Sequence, residues 1–129
     1  MPRIQSFEDL EAWKIARRSV QEIYAITRHG AFSRDFGLRD QICRSAVSVM
    51  ANVAEGFERD GDKEFINFLS IAKGSAGETR SLLYVAMDQN YITRAQFDLI
   101  SARLRECSRV ISGLLTYLRR SELKGLKFK

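Results

Sequence analysis

The sequence predicts an all-α protein, an antiparallel up-down-up-down four-helix bundle, and three observations carry that reading. Apolar residues recur at alternating steps of three and four in four segments, the period of a helix with one buried face. The single proline is Pro2, so none interrupts those segments, and turn-forming residues mark the boundaries between them. The links are a few residues long, too short to return the chain to its starting end, so successive helices are expected to run antiparallel. With 129 residues, 45% of them hydrophobic, the chain has enough apolar material for one domain over residues 1–129.

The first helix is expected over residues 7–28. Ser6 and Asp9 have the spacing of a capping box, with Asp where Glu is usual, and the stripe Leu10, Trp13, Ala16, Val20, Ile23, Thr27 follows. His29 and Gly30 close it, the imidazole near the negative helix end and the glycine free to turn left-handed. His29 is therefore read as a helix-end residue rather than a catalytic base. The second helix is expected over residues 36–55. Its apolar residues form two lines, Leu38-Ile42-Val49-Val53 and Cys43-Val47-Met50-Ala54, wider than one bundle core needs. The polar line left over, Gln41, Arg44 or Ser45, Ser48, Asn52 and Glu55, shares one face. Gly56 is read as the left-handed stop.

Asp62 is the N-cap candidate of a third helix over residues 63–89, with the stripe Phe65, Phe68 or Leu69, Ala72, Ala76, Thr79, Leu82 or Leu83, and Ala86. Gly74 and Gly77 lie in its middle. A mid-helix glycine costs up to about 1 kcal/mol relative to alanine, so another backbone is expected to approach there. A nucleotide-binding glycine loop is a poorer reading, since no strand precedes these residues and the spacing is wrong. Asn90 ends the helix. Thr93 to Gln96 is a capping box opening a fourth helix over residues 94–120, whose stripe Phe97, Ile100, Leu104, Cys107, Ile111, Leu114, Leu118 is the most regular of all. Residues 121–129 read as a loosely ordered basic tail.

Charge is unevenly placed. Residues 1–94 hold 13 basic and 13 acidic side chains, so the whole net charge of +5 arises in residues 95–129. Fifteen of the 21 basic residues are arginine, whose planar fork pairs with phosphate, which favours a polyanionic partner over simple solubilisation, with a solvated helical face as the alternative reading. Arg44, Arg103, Arg109, Arg119, Arg120, Lys124 and Lys127 are the candidate nucleic-acid contacts. No recognition-helix motif accompanies them, so phosphate contacts without base reading are expected.

Catalytic chemistry is not expected. The lone histidine lies at a helix end, and Cys43 and Cys107 fall at apolar positions where a reduced thiol acts as a small hydrophobe. One histidine and no close cysteine pair exclude an ordinary zinc site, and no Glu-x-x-His pair exists for a di-iron bundle. No metal and no cofactor is expected. Glu55 and Glu78 are read as structural hydrogen-bonding groups rather than paired acids. The absence of a long apolar run excludes a membrane-spanning helix and makes the cytoplasm the expected location.

Several of these residues carry a resemblance that covers nearly the whole chain. Ser48, Asn52, Glu55 and Gly56 within SVMANVAEG, then Lys63, Glu64, Phe65 and Phe68, then Ala72, Gly74, Ser75 and Glu78, resemble the bacterial four-helix-bundle proteins encoded by intervening sequences of 23S ribosomal RNA genes. Met50 stands where members often have proline, and Thr79-Arg80 replaces a commoner apolar residue after the glutamate. The resemblance implies a ring-like homo-oligomer, a pentamer, without established enzymatic activity. Distant similarity to accessory proteins of diversity-generating retroelements implies RNA or DNA, or a nucleic-acid enzyme, as a partner. Two functions are thus expected to compete: a non-enzymatic nucleic-acid-binding ring, and a scaffold docking an acidic protein.

Overall fold

The computed structural model describes residues 4–127, with side chains through Ser121, and these residues form four α-helices and no strand. A 3-10 turn at Phe7–Asp9 precedes α1 (Glu11–Thr27), a second at Gly30–Arg34 precedes α2 (Phe36–Glu58), and α3 (Asp62–Asp88) and α4 (Arg94–Lys127) complete the chain. Each helix packs against the next and α4 packs against α1, which leaves α1 facing α3 and α2 facing α4 across the diagonals. Ile23, Ile42, Val49, Val53, Leu69, Leu83, Leu104 and Ile111 are fully buried at the centre. Buried alanines, Ala12 and Ala16 on α1, Ala46 on α2 and Ala72 and Ala76 on α3, sit among them as small surfaces that let the helices approach closely.

Helix ends explain most departures from the sequence reading. Asp9 does cap, accepting from the Gln5 and Ser6 backbone N–H groups at 3.0 and 3.2 Å, and those bonds hold its carboxyl below the usual carboxylate range. It caps only the 3-10 turn, because Leu10 takes an extended backbone that places its side chain in the core, and α1 starts after it. Gly30 is left-handed, with φ of 61°. The turn it opens buries Phe32, whose ring stacks on Tyr91 at 5.1 Å. Asp35 then caps α2 by accepting from the Leu38 N–H at 3.1 Å, and accepts from the Tyr91 hydroxyl at 2.9 Å, which raises the tyrosine pKa. That one carboxylate joins the start of α2 to the α3–α4 link.

Gly56 does not stop α2, which continues to Glu58. The left-handed glycine of the turn is Gly61, with φ of 96°, and Asp62 is the first residue of α3 rather than its N-cap. Gly56 is needed for a different reason. A Cβ there would lie 2.7 Å from the Phe68 Cβ and 3.0 Å from the Phe65 ring, so α2 and α3 touch where it has no side chain. The mid-helix glycines of α3 are the reverse case: nothing lies within 4 Å of a Cβ on Gly74 or Gly77, so no described backbone approaches them. Asn90 is left-handed at φ 60° and ends α3. Thr93 and Gln96 make both bonds of the capping box, at 2.8 and 3.1 Å. The helix they start passes Arg120 and reaches Lys127, since Leu, Glu and Lys favour helix and Gly125 alone does not break it.

Along the α1–α4 seam, the Cys107 thiol faces the Ala12 carbonyl at 3.6 Å, and Arg103 grips Glu22 with two N–H donors at 2.6 and 3.2 Å. Both charged side chains are only 22% exposed. The bond to Glu22 is the main cause that raises the Arg103 pKa.

Two outcomes are expected. Gly56→Ala should destabilise the fold by about 1–3 kcal/mol, the usual cost of overpacking, measured by urea denaturation; an unchanged midpoint would mean that α2 and α3 are not in contact there. A double-mutant cycle on Glu22→Gln and Arg103→Gln should give a coupling of about 1 kcal/mol, at the upper end for a partly exposed pair. No coupling would mean that the pair is open in solution.

Candidate nucleic-acid interface

The outward face of α4 is built by the regular stripe that buries its other side. With Leu104, Cys107, Ile111, Leu115 and Leu118 turned inward, the 3.6-residue period leaves Arg105, Arg109, Thr116 and Arg120 in one exposed row. Arg119 is exposed beside the row, and Tyr117, 66% exposed, stands on its other flank past Gly113. No described acidic side chain pairs with Arg105, Arg109, Arg119 or Arg120. Glu106 is the acid nearest in sequence to Arg105 and Arg109, Glu122 follows Arg120 by two positions with its side chain outside the described residues, and nearer the start of the helix Asp98 is occupied by Arg94 at 3.0 Å.

The structure thus redistributes the basic residues singled out from sequence. Arg103 is taken out of the set by Glu22, a partner 81 positions away that no local pattern reveals. Arg105, which sequence reasoning passed over, takes the outward position; its four-residue spacing to Arg109 was the available signal. Tyr117 was also missed, although an aromatic between arginines on one helix face is a pattern visible in the chain. Arg44 is exposed on α2, across the diagonal from α4, so within one protomer it does not join this face. Lys124 and Lys127 continue the helix, with side chains outside the described residues.

The polar line on α2 forms a seam with α3. Ser48 and Ser75 share a hydrogen bond of 2.8 Å between hydroxyls, and the Asn52 amide donates to the Ser48 carbonyl at 2.8 Å and its hydroxyl at 3.0 Å. One turn deeper, the buried Ser45 and Thr79 hydroxyls meet at 2.8 Å, and Thr79 also donates to the Ser75 carbonyl. These groups satisfy one another, which leaves little donor capacity for a ligand. Glu55 and Glu78 stand apart from the seam. Glu55 holds Arg59 at 3.0 Å on the surface, and Glu78 is exposed on the outer face of α3.

Among the described residues, no group of three His, Cys, Asp or Glu side chains is placed to hold a metal ion. Burial, with the Glu106 charge adding to it, pushes the Cys107 thiol up to about 12, so it stays protonated at neutral pH. His29 is exposed at the end of α1. No described helix is long and apolar enough to cross a membrane.

The similarities of the chain agree with this architecture. It is similar to a solved protein of unknown function from the S23 ribosomal protein family of Bacteroides thetaiotaomicron, at 25% identity and a TM-score of 0.74, over 81% of this chain and 95% of that one. No curated protein matches it. A family model described as 23S rRNA-intervening sequence protein matches residues 8–113, a span that takes in α1, α2, α3 and most of α4. The chain belongs to the 23S rRNA-intervening sequence protein family.

Proposed function

We propose that the protein is a non-enzymatic nucleic-acid-binding protein, an up-down-up-down bundle that works as a ring-like homo-oligomer. The observation that carries the reading is the outward row of α4, where Arg105, Arg109 and Arg120 stand exposed and without described acidic partners, with Arg119 and Tyr117 beside them. Guanidinium groups in such a row follow a phosphate backbone without reading bases, and an exposed aromatic ring adds stacking that tolerates any base. Membership of a family named for 23S rRNA intervening sequences supports RNA as the polyanion. A single protomer offers few contacts, so a ring that repeats them gains through multivalency.

Assembly is supported by the outer face of α3. Ile71, 53% exposed, Gly74, Glu78, Ser81 and Val85 form one outward line, with Gly77 and Tyr84 beside it. Val47 of α2 adds apolar surface, as expected of a helix whose second apolar line is only partly covered by its own bundle. The open glycines are then explained by a neighbouring copy, since a helix retains residues that cost up to about 1 kcal/mol each when a close approach returns more. A pentamer is the form that the family resemblance implies.

Arg105, Arg109, Arg119 and Arg120 replaced together by glutamine should abolish most binding of mixed RNA and DNA oligomers and flatten its salt dependence, with helical content unchanged. Each lost phosphate contact should lower the log–log salt slope by roughly 0.7–0.9. Unchanged binding would remove α4 from the interface, and no binding by the native protein at low salt would favour docking of an acidic protein. For assembly, Gly74→Leu with Gly77→Leu should keep the helical spectrum and shift sedimentation from a multiple of 14.8 kDa to that mass. A native protein that already sediments at 14.8 kDa would overturn the ring.

A further inference from the structure

A cleft of about 400 Å3 opens where the end of α1, the Gly30–Arg34 turn and the start of α2 meet. Tyr24, Thr27 and Arg28 line one side, and Ser33, Arg39 and Asp40 the other. It does not belong to the arginine row of α4. Glu22 meets Arg103 while Ala12 meets Cys107, so position numbers rise along α1 as they fall along α4. The cleft at the end of α1 therefore faces away from the Arg109–Arg120 end.

Arg39 is held in place before any ligand arrives. Its Nη1 donates to the Ser33 carbonyl at 2.9 Å, its Nε and Nη2 reach one Asp40 oxygen at 3.3 Å, and its guanidinium lies 4.9 Å from the centre of the Phe36 ring. Those bonds use three of five N–H groups, which leaves two donors in a fixed orientation. Arg28 is exposed and has no described ion-pair partner, and with two arginines against Asp40 the lining carries a net positive charge. The cleft is larger than a lone phosphate ion requires and falls at the low end of organic-ligand sites, roughly 300–1,000 Å3. Tyr24, 39% exposed, supplies an aromatic wall.

We propose that this cleft binds a phosphomonoester attached to an aromatic base, with Arg28 and Arg39 on the phosphate and the Tyr24 ring against the base. A nucleoside monophosphate and the 5′-phosphorylated end of a nucleic-acid strand share that chemistry. The C-terminal end of α1 and the Asp40 carboxylate oppose an anion, and the Arg28 and Arg39 guanidiniums outweigh them because charge-assisted hydrogen bonds to phosphate are the stronger interaction.

Titration calorimetry of the full chain at low salt tests the site with adenosine 5′-monophosphate, adenosine and ribose 5-phosphate. The monophosphate should bind saturably at one per chain, and adenosine at least about tenfold more weakly, the loss expected for a charge-assisted contact. Arg28→Gln, at a side chain with no described partner, should weaken the monophosphate similarly with an unchanged helical spectrum. Tyr24→Leu should weaken the monophosphate but not ribose 5-phosphate. The α4 quadruple variant should retain monophosphate binding, so the cleft stands even where oligomer binding fails. In that variant, preference for a 5′-phosphorylated RNA oligomer over its 5′-hydroxyl form would assign the strand end, and equal binding would assign the free nucleotide. No saturable monophosphate binding, equal binding of adenosine, or an Arg28→Gln variant that binds as the native protein does would overturn the proposal.

Discussion

A Cβ on residue 56 would sit 2.7 Å from that of Phe68, so the separation of α2 and α3 near their connecting turn depends on the absence of one methyl group. From that contact the seam continues through Ser48 with Ser75 and then Ser45 with Thr79. Sliding by one residue would break both 2.8 Å hydroxyl contacts and would move Gly56 from the Phe65 and Phe68 side chains, where a Cβ does not fit. The pair of helices thus has one register, and the faces that receive α1 and α4 follow from it. The core is correspondingly thin, with alanines facing the large residues, which suits close helix packing more than a bulky filled interior.

Placement of charge follows from the same packing. Once α4 lies against α1, Arg103 comes opposite Glu22 and both lose most of their contact with water, so the arginine serves the fold. Two positions on, Arg105 faces outward and remains available. The basic character of the last quarter of the chain is therefore divided: one arginine closes a seam, and the others form a row. A second concentration of cationic groups, at the end of α1 and the start of α2, lies within residues 1–94, whose charges balance as a whole. Asp9, Asp35 and Glu22 are each taken up by caps or ion pairs, which leaves Arg28 without a described acidic partner and Arg39 only partly paired.

The outer face of α3 brings the two levels of organisation together. A helix that kept glycine at 74 and 77 for its own packing would show atoms close to those positions, and none of the described atoms is. Ile71 and Val85 extend the same face as exposed apolar surface. On the proposed assembly, this face is the surface that a second copy would cover.

Periodicity and capping chemistry in the sequence determined the four helices, since these depend on residues a few positions apart: the alternating stripe of α4, the Thr93–Gln96 box, the left-handed Gly30 and Asn90. Local signals also placed Arg109, Arg119 and Arg120 on the outward side of α4, because a strict stripe leaves little choice about which residues of that helix face outward. Only the tertiary structure decided what depends on distant partners. It separated Arg103 from Arg105, because Glu22 is 81 positions from the residue it neutralises. It turned Gly56 from a helix stop into a point of contact, because Phe65 and Phe68 lie on another helix. It ended the first 3-10 turn at Leu10, because burial of that side chain outweighed continuation of a capped helix. The cleft beside Arg39 has no local signature, because its walls come from two helices and a turn whose meeting is set by packing rather than by the order of residues.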